Sequence, residues 1–294
     1  MGSLIGHVAP GLGFFLIGLW HLFNHIKLHA LRPSSYTAQP WFPASKFRYS
    51  ELYLIMVGST TSIAMELFVS PDRHQPLDID GTIPSNHLHT FEHSSISLSL
   101  LVYAALVVLL DRISPKSTHH GLIYFLASIT FAVELLLFHL HSTDHNGPEG
   151  QFHFFLELVI YVSLVTTLMG IGFPNSFMVS FVRSLSIFFQ GVWFMVMGFM
   201  LWTPHFLPKG CFLSDDDGRK VARCSGEEAL HRAKSLINLE FSWFLIFIAV
   251  FGIFFYLVLL KIYGEKAHYF SLARKEEKGE EDSYDIESQK NIIS

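Results

Sequence analysis

Ionisable side chains lie inside apolar stretches of this sequence, where such groups are rare. Four of these stretches each contain one glutamate and no lysine or arginine; the glutamates are Glu66, Glu92, Glu134 and Glu157. A carboxylate at bilayer depth costs about 2.5–3.5 kcal/mol on insertion scales. Because no basic residue is available as a counter-charge, we expect each carboxyl group to meet a histidine or a metal ion, or to carry a proton.

Histidines gather near the same positions. The chain has 17 of them, and those close to one end of an apolar stretch are His7, His87, His89, His93, His139, His141, His145, His153 and His205. His89 and His93 are four residues apart, as are His153 and Glu157, so each pair shares one face of a helix. Imidazole and carboxylate ligands together suit zinc, iron or nickel, and copper is an alternative.

This combination of residues predicts a metal-binding site. The predicted ligands are His93, His139, His141 and His153, which His7 and Glu92 could join. Glu134 or Glu157 would act as a further ligand or as the general base of a metal-dependent reaction. The expected cofactor is zinc or another transition metal. The alternative is a polar network, in which protonated glutamates bond to hydroxyl groups and the histidines bind lipid head groups.

Charge is absent from particular segments of the chain. Only 15% of the 294 residues are charged, against about 25% in soluble domains. Apolar windows of about 20 residues span the core of a bilayer. The windows that qualify cover residues 4–22, 52–70, 91–110, 121–141, 151–171, 184–204 and 241–262. They predict an all-α polytopic membrane protein in which residues 1–262 form a seven-transmembrane-helix bundle.

This composition excludes several classes of protein. The apolar windows do not fit a soluble enzyme, a disordered protein or a secreted disulfide scaffold. The net charge of −5 provides no basic surface of the kind that nucleic acid requires. The predicted partner is the lipid bilayer, and no oligomeric state is predicted.

The basic residues orient the seven spans. If the C-terminus is cytosolic, 13 of the 20 lysines and arginines lie on that side, as the positive-inside rule favours. Cys211 and Cys224 then lie in the sixth loop on the other side, where a disulfide fits an oxidising compartment. Two free thiols on a cytosolic loop are the alternative. We predict an outside or lumenal N-terminus and a cytosolic C-terminus, in the endomembrane system or the plasma membrane.

The alternation of the spans brings the four glutamates to one side of the bilayer. In the predicted topology all four lie within about 10 Å of the outer boundary, at 1.5 Å of rise per residue. The histidines of the predicted site lie on the same side. This grouping does not depend on which way the whole protein faces.

The chain changes character after Tyr263. Residues 263–294 mix glutamate, aspartate and lysine without apolar periodicity, which is typical of a disordered segment. Tyr269-Phe-Ser-Leu272 matches a tyrosine-type sorting signal. We therefore predict a disordered acidic cytosolic tail that is available to cytosolic partners.

Other polar residues of the spans receive structural interpretations. His21, His25 and His29 form a helical stripe at the cytosolic end of the first span. We interpret them as interfacial anchors, because amphipathic rings favour that depth. Gln190 and Trp193 lie deep in the sixth span, and we interpret them as polar contacts between helices.

Three groups of residues carry a resemblance to a known family. They are Gly6-His7-x2-Pro10-Gly11 with Gly18 and Trp20, Phe138-His-Leu-His141 with His153, and Phe189-Gln-Gly-Val-Trp193 with Met197-Gly-Phe199. The chain resembles the transmembrane protein 45 family, seven-span proteins of largely unknown biochemical activity. Its cysteine-containing sixth loop looks more like the plant members. The resemblance implies a multi-pass protein of the endomembrane system or plasma membrane with links to stress and defence, and it supplies no catalytic residues.

Three functions stay open at this point. The first is a metal-binding membrane protein, with a metal-dependent enzyme acting on lipid as its most specific form. The second is a proton- or ion-coupled transporter, because carboxylates and histidines form relays, although the inner halves of spans four and five offer few polar residues for a continuous path. The third is a non-catalytic stress- or defence-related membrane protein whose tail recruits partners.

Overall fold

Seven long helices and one β-hairpin form the chain in a computed structural model. It describes the backbone of residues 3–69, 75–113, 115–143, 147–216 and 219–293, and the side chains in these ranges except 116–117, 141–143, 216, 219 and 265–293. The helices are α1 (Leu4–Leu31), α2 (Ser50–Ala64), α3 (Leu88–Ile113), α4 (Lys116–Thr143), α5 (Pro148–Gly172), α6 (Phe177–Trp202) and α7 (Glu227–Ile293). A π-helical turn (Met65–Val69) prolongs α2, and 3₁₀ turns cover Pro33–Ser35, Ser85–His87 and Pro204–Phe206.

Each of the seven helices is long and apolar enough to cross a membrane. The segments that qualify contain between 20 and 38 residues, and about 20 residues are enough to span the hydrocarbon core. The predicted all-α bundle of seven membrane-spanning helices is therefore confirmed for the described part of the chain. The orientation of the two termini stays a prediction.

Consecutive helices run in opposite directions. His139, near the end of α4, contacts Glu157, near the start of α5, and the same antiparallel arrangement relates α2 to α3 and α5 to α6. The N-termini of α1, α3, α5 and α7 therefore share one end of the bundle, which we call the His7 end. The opposite end, where α1 finishes, is called the His29 end.

The sixth helix lies at the centre of the bundle, where it packs against α1, α5 and α7. Two glycines permit a close approach to α1. A Cβ atom at Gly18 would overlap the backbone of Phe188, and one at Gly191 would overlap the backbone of Phe15. Small residues at such crossings allow two backbones to gain van der Waals contact in lipid, where no hydrophobic force drives helices together.

The helices extend beyond the apolar windows that predicted them. The sixth helix begins at Phe177, where Ser176 caps it by accepting a hydrogen bond from the Val179 amide, whereas the predicted span began at residue 184. Hydropathy falls where polar residues begin, but a helix continues as long as its backbone hydrogen bonds do. As a consequence His25 and Arg183, which the sequence placed beside the spans, lie inside helices.

A β-hairpin occupies the loop between α6 and α7. Strand β1 (Cys211–Asp216) pairs antiparallel with β2 (Arg219–Cys224), and a disulfide joins Cys211 to Cys224. The Trp202 indole N–H donates to the Lys220 carbonyl at 3.2 Å and holds the hairpin against α6. The disulfide is the pairing that the sequence favoured. The strands were not predicted, because short charged strands carry little periodic signal.

The boundary between the membrane domain and the tail stays a prediction. Helix α7 ends at Ile293, and the side chains of residues 265–293 lie outside the described part of the chain. The predicted disorder of residues 263–294 therefore falls on a segment that the structure does not test.

Candidate functional site

The first predicted ligand, His93, lies on α3 and faces the π-helical turn that follows α2. Both His93 and Glu66 are buried, and the imidazole Nδ1 lies 3.9 Å from the Glu66 carboxylate. Near the start of α3, His89 contacts Glu92 at 3.2 Å on a partly exposed surface. The structure therefore gives Glu66 and Glu92 the histidine neighbours that the sequence led us to expect.

His139 and Glu157 form a second pair, between α4 and α5. Nδ1 of His139 lies 3.0 Å from Oε2 of Glu157. The carboxylate is buried, whereas 63% of the histidine side chain is exposed. His141 lies two residues further along α4, and its side chain falls outside the described part of the chain, so its predicted role as a ligand is not tested.

His7 and His153 form a third pair, between α1 and α5. Both are buried, and their rings meet edge to face with centroids 6.0 Å apart. Nδ1 of His7 lies 3.1 Å from the Ser3 carbonyl, and Nδ1 of His153 lies 3.0 Å from the Glu149 carbonyl. Because a carbonyl only accepts hydrogen bonds, each Nδ1 carries a proton, and in the neutral imidazole Nε2 then holds the lone pair.

Aromatic side chains enclose this third pair. Trp202 stacks on His7 with ring centroids 4.4 Å apart, and Phe138 stacks on His153 at 5.9 Å. Metal-ligating histidines typically donate their second ring nitrogen to a carbonyl or carboxylate, which fixes the ring. Among the predicted residues, His7 and His153 therefore have the local geometry that fits a metal ligand most closely.

The predicted ligands are distributed over these three pairs. Within the side chains that the structure describes, no group of three or more histidine, cysteine, aspartate or glutamate residues is placed to hold a metal ion. His93 pairs with Glu66, His139 with Glu157 and His153 with His7. A ligand set that includes His141 stays a prediction.

Glu134, one of the two predicted general bases, meets an amide. It is 2% exposed and accepts a hydrogen bond from Nε2 of Gln190 at 2.6 Å. One turn along α6, the Trp193 indole donates to the Phe152 carbonyl at 3.0 Å. The interpretation of Gln190 and Trp193 as polar contacts between helices is confirmed.

Among the contacts between described side chains, the largest set of joined polar groups lies towards the His29 end. We call it the His25 network, and it consists of His21, His25, Tyr36, Glu51 and Arg183. All five side chains are buried, and His25 is fully buried. They come from α1, the loop after α1, α2 and α6. The interpretation of His21 and His25 as interfacial anchors is therefore wrong, because both lie inside the bundle.

The direction of the hydrogen bonds in the network follows from Arg183. Its Nη2 lies 3.0 Å from Nε2 of His25, and a guanidinium can only donate. Nε2 must therefore accept, so Nδ1 of His25 carries the proton and donates to the Tyr36 oxygen at 2.8 Å. Burial raises the pKa of the Tyr36 phenol, which keeps it neutral. The result is an ordered chain from Arg183 through a neutral His25 to Tyr36.

Glu51 forms the acidic part of the network. Its Oε1 lies 2.7 Å from Nε2 of His21, and its Oε2 accepts the backbone N–H of Phe42 at 3.0 Å. The His21 and His25 rings meet edge to face with centroids 6.0 Å apart. A carboxylate and a guanidinium are thus separated by two imidazoles inside the bundle.

Two tyrosines line the same interior. The guanidinium carbon of Arg183 lies 4.6 Å from the centre of the Tyr124 ring, in the geometry of a cation–π contact. Tyr103, on α3, packs against the cluster of buried residues that includes Leu52 and Ile123. Nδ1 of His21 and the Tyr124 hydroxyl are buried and have no hydrogen-bond partner within the described part of the chain. Such atoms are available to water or to a proton.

Two features of the sequence indicate parts of this network. The i, i+4 spacing of His21 and His25 places both side chains on one face of a helix, and that face can be the buried one. Ser176 followed by apolar residues marks a helix start, which would have put Arg183 two turns inside α6. The meeting of Arg183 with His25 could not be foreseen, because 158 residues separate them.

The fold and these pairs define the class of protein. Seven apolar helices with ionisable groups buried among them are characteristic of a multi-pass membrane protein. A model of a family described as "Family of unknown function (DUF716)" matches residues 120–257. The match begins in α4 and ends in the membrane-spanning part of α7, so it includes the hairpin and the central α6.

Proposed function

We propose that the protein is a proton- or ion-coupled transporter and that the His25 network is its proton-binding site. The observation that carries this proposal is the burial of Glu51 and Arg183 in one network, in which His21 and His25 lie between them. Ionisable residues inside membrane bundles are expensive and usually lie on ion or substrate pathways. No carboxylate lies within ion-pair distance of Arg183 in the described part of the chain, so its charge is balanced only at longer range.

A proton changes the charge balance of the network. In the resting state that we propose, Arg183 is positive, Glu51 is negative and both histidines are neutral, so that the network has no net charge. A proton taken up by Glu51 or His21 leaves one uncompensated positive charge in a medium of low dielectric constant, where Coulomb interactions are strong. The two protonation states therefore favour different degrees of hydration, which is what a coupled transporter needs.

Polar contacts continue from the network along α5 and α6 towards the His7 end. Ser163 and Ser186 share a hydrogen bond of 2.9 Å between the two helices. One turn further along α6, Gln190 meets Glu134. The small number of polar residues in the inner halves of spans four and five argues against a continuous path. The buried serines between α5 and α6 weaken that argument.

Proton flux tests the proposal directly. Full-length protein in liposomes containing pyranine would be driven by a potassium diffusion potential set with valinomycin. We expect flux above that of protein-free liposomes, and we expect Glu51→Gln to remove most of it, because the amide cannot take up a proton. Glu228→Gln, an exposed carboxylate on α7, is the matched control. Wild-type flux equal to the protein-free level, or unchanged by Glu51→Gln, contradicts the proposal.

A metal site at the His7 end is the second candidate, and the tautomers of His7 and His153 favour it. In their neutral form, the two imidazoles present lone pairs on Nε2 and would supply two of the ligands that zinc or another transition metal requires. His141, whose side chain lies outside the described part of the chain, would supply a third ligand, with Glu157 or Glu134 as the base of a metal-dependent reaction. If the protein is an enzyme that acts on lipid, we expect the reaction to take place at this metal site.

Element analysis of the purified full-length protein decides between the two candidates. A metal site predicts a transition metal in stoichiometric amount that is lost in His153→Ala and retained in His205→Ala, whose side chain lies on the exposed 3₁₀ turn. Protein that folds and carries no stoichiometric metal after growth with zinc, iron, nickel and copper rules the site out.

We also propose that the chain is a member of the transmembrane protein 45 family. The motif residues around His7, His139 and Gln190 support this membership. The proposed orientation places the His7 end outside or in a lumen and the C-terminus in the cytosol, in the endomembrane system or the plasma membrane. The distribution of lysine and arginine supports that orientation, and the tail is the proposed contact for cytosolic partners in a stress or defence role.

A further inference from the structure

A groove of about 360 Å³ lies at the His7 end between α5, α6, α7 and the turn at Pro204–Phe206. Of its 12 lining residues, 11 are apolar. This volume is within the range of small-molecule sites, which run from roughly 300 to 1,000 Å³. The groove shares no residue with the His25 network or with the histidine pairs of the His7 end.

The twelfth lining residue is Glu240, the one ionisable side chain that the described residues contribute to the groove. It lies on α7 immediately before the uncharged run from residue 241 to residue 260, which is where the hydrocarbon core of a bilayer would begin. Its carboxylate is partly buried, and no hydrogen bond or ion pair reaches it from the described residues. A carboxylate in that position costs free energy unless a cation or a proton joins it.

The walls of the groove are suited to a cation with an apolar body. Phe152, Phe206, Trp243 and Phe244 are among the lining residues, and aromatic faces attract ammonium groups, most strongly where water is excluded. The aliphatic remainder of the lining takes hydrocarbon. Among the described residues, no lysine, arginine or histidine lines the groove, so none of them competes for the Glu240 carboxylate or repels a positive head group.

We propose that this groove binds an amphiphile with one cationic ammonium head group and a hydrocarbon tail. The head group pairs with Glu240 at the level of the bilayer interface, and the tail packs against the apolar wall. An anionic amphiphile is excluded by the carboxylate, and a neutral one of the same length gains only the contacts of its tail.

Saturable binding of tritiated dodecyltrimethylammonium to the full-length protein in neutral maltoside micelles tests this site. We expect saturable binding that dodecanol and dodecyl sulfate displace poorly. The trimethylammonium group has no N–H to donate, so its attraction to the Glu240 carboxylate is Coulombic and is strongest where water is excluded. Glu240→Gln removes this attraction and should weaken the affinity at least about tenfold. Glu228→Gln, which removes an exposed carboxylate from the same helix outside the groove, should bind like the wild type.

A second variant tests the space in the groove and leaves the charge of Glu240 unchanged. Leu236 lines the groove and is 40% exposed, so Leu236→Trp should fill the space without disturbing the core and should abolish binding. Three results overturn the proposal: no saturable binding to the wild type, equal affinity in Glu240→Gln, or equal binding of dodecanol, which would show an apolar groove without preference for a cation.

Discussion

The two ends of the bundle bury similar side chains in different ways. Towards the His29 end, His21, His25, Tyr36, Glu51 and Arg183 are joined through shared contacts into one network. Towards the His7 end, the contacts between described side chains join imidazoles and carboxylates of two helices at a time. Within the described part of the chain, the same residue types thus form a coupled group at one end and local pairs at the other.

This difference shows that residue type and depth do not determine how polar groups act. In a network, each group sets the tautomer or charge of the next, so removing one changes the others. In a local pair, removal affects the one partner that remains. The predictions below test this contrast, in order of decreasing effect.

Loss of Arg183 should have the largest effect. Arg183→Met leaves Nε2 of His25 and the Gln39 carbonyl without their donor, and hydrogen bonds to charged groups contribute about 1.5–3 kcal/mol. We expect the free energy of unfolding in mixed micelles to fall by about 2–3 kcal/mol. The control is Arg232→Met, at an exposed position of α7. A more stable Arg183→Met variant would mean that the arginine is retained for function at a cost in stability.

A double-mutant cycle tests whether the His25 network is coupled. Glu51→Gln and Tyr36→Phe alter groups that do not touch but are joined through His21 and His25. We expect an interaction free energy of about 1 kcal/mol between them, as for members of one network. The same cycle between Glu51→Gln and Gln190→Leu should give none beyond error. Equal values in the two cycles would remove the distinction between the ends.

Gln190→Leu tests a local pair. The substitution removes the Gln190 amide that donates a hydrogen bond to Glu134. Single interhelical hydrogen bonds in membranes average about 0.6 kcal/mol. We expect a loss of about 1 kcal/mol in the free energy of unfolding, part of it from the carboxyl group left behind. Gln151→Leu breaks an exposed amide–amide hydrogen bond to Asn238 and should cost less. A loss as large as that of Arg183→Met would show that the His7 end is also coupled.

His139→Ala should have the smallest effect. With 63% of its side chain exposed, its contact with Glu157 resembles a surface ion pair, which typically contributes about 0–1 kcal/mol. We expect a shift in the melting temperature too small to separate from the wild type. A clear destabilisation would indicate that His139 holds Glu157 in place for a role in the predicted metal site.

The sequence was informative where a single physical requirement decides the outcome. Seven apolar windows predicted seven spans, because a backbone in hydrocarbon must satisfy its own hydrogen bonds and forms helices. Gln190 and Trp193 were predicted to contact other helices, since a polar group in lipid must find a partner. The Cys211–Cys224 disulfide was favoured because both cysteines lie in one loop.

The sequence was least informative for the His25 network. Hydropathy windows end at polar residues, so Arg183 was placed outside the spans although α6 begins at Phe177. Tyr36 reaches the network from a loop after α1, and loops carry no periodic signal that would show where they turn. The metal site was predicted at the His7 end because most of the glutamates and histidines of the spans lie near that end.

Composition and spacing by themselves determined that the chain crosses a membrane seven times, and which ionisable residues lie near each end. These properties follow from the alternation of apolar segments with polar loops, because the length and hydrophobicity of each segment decide whether it spans the bilayer. Only the tertiary structure decided which of those residues meet. Partners such as His25 and Arg183 are brought together by the close packing of α1 on α6 at Gly18 and Gly191, and contacts between distant segments depend on how whole helices pack.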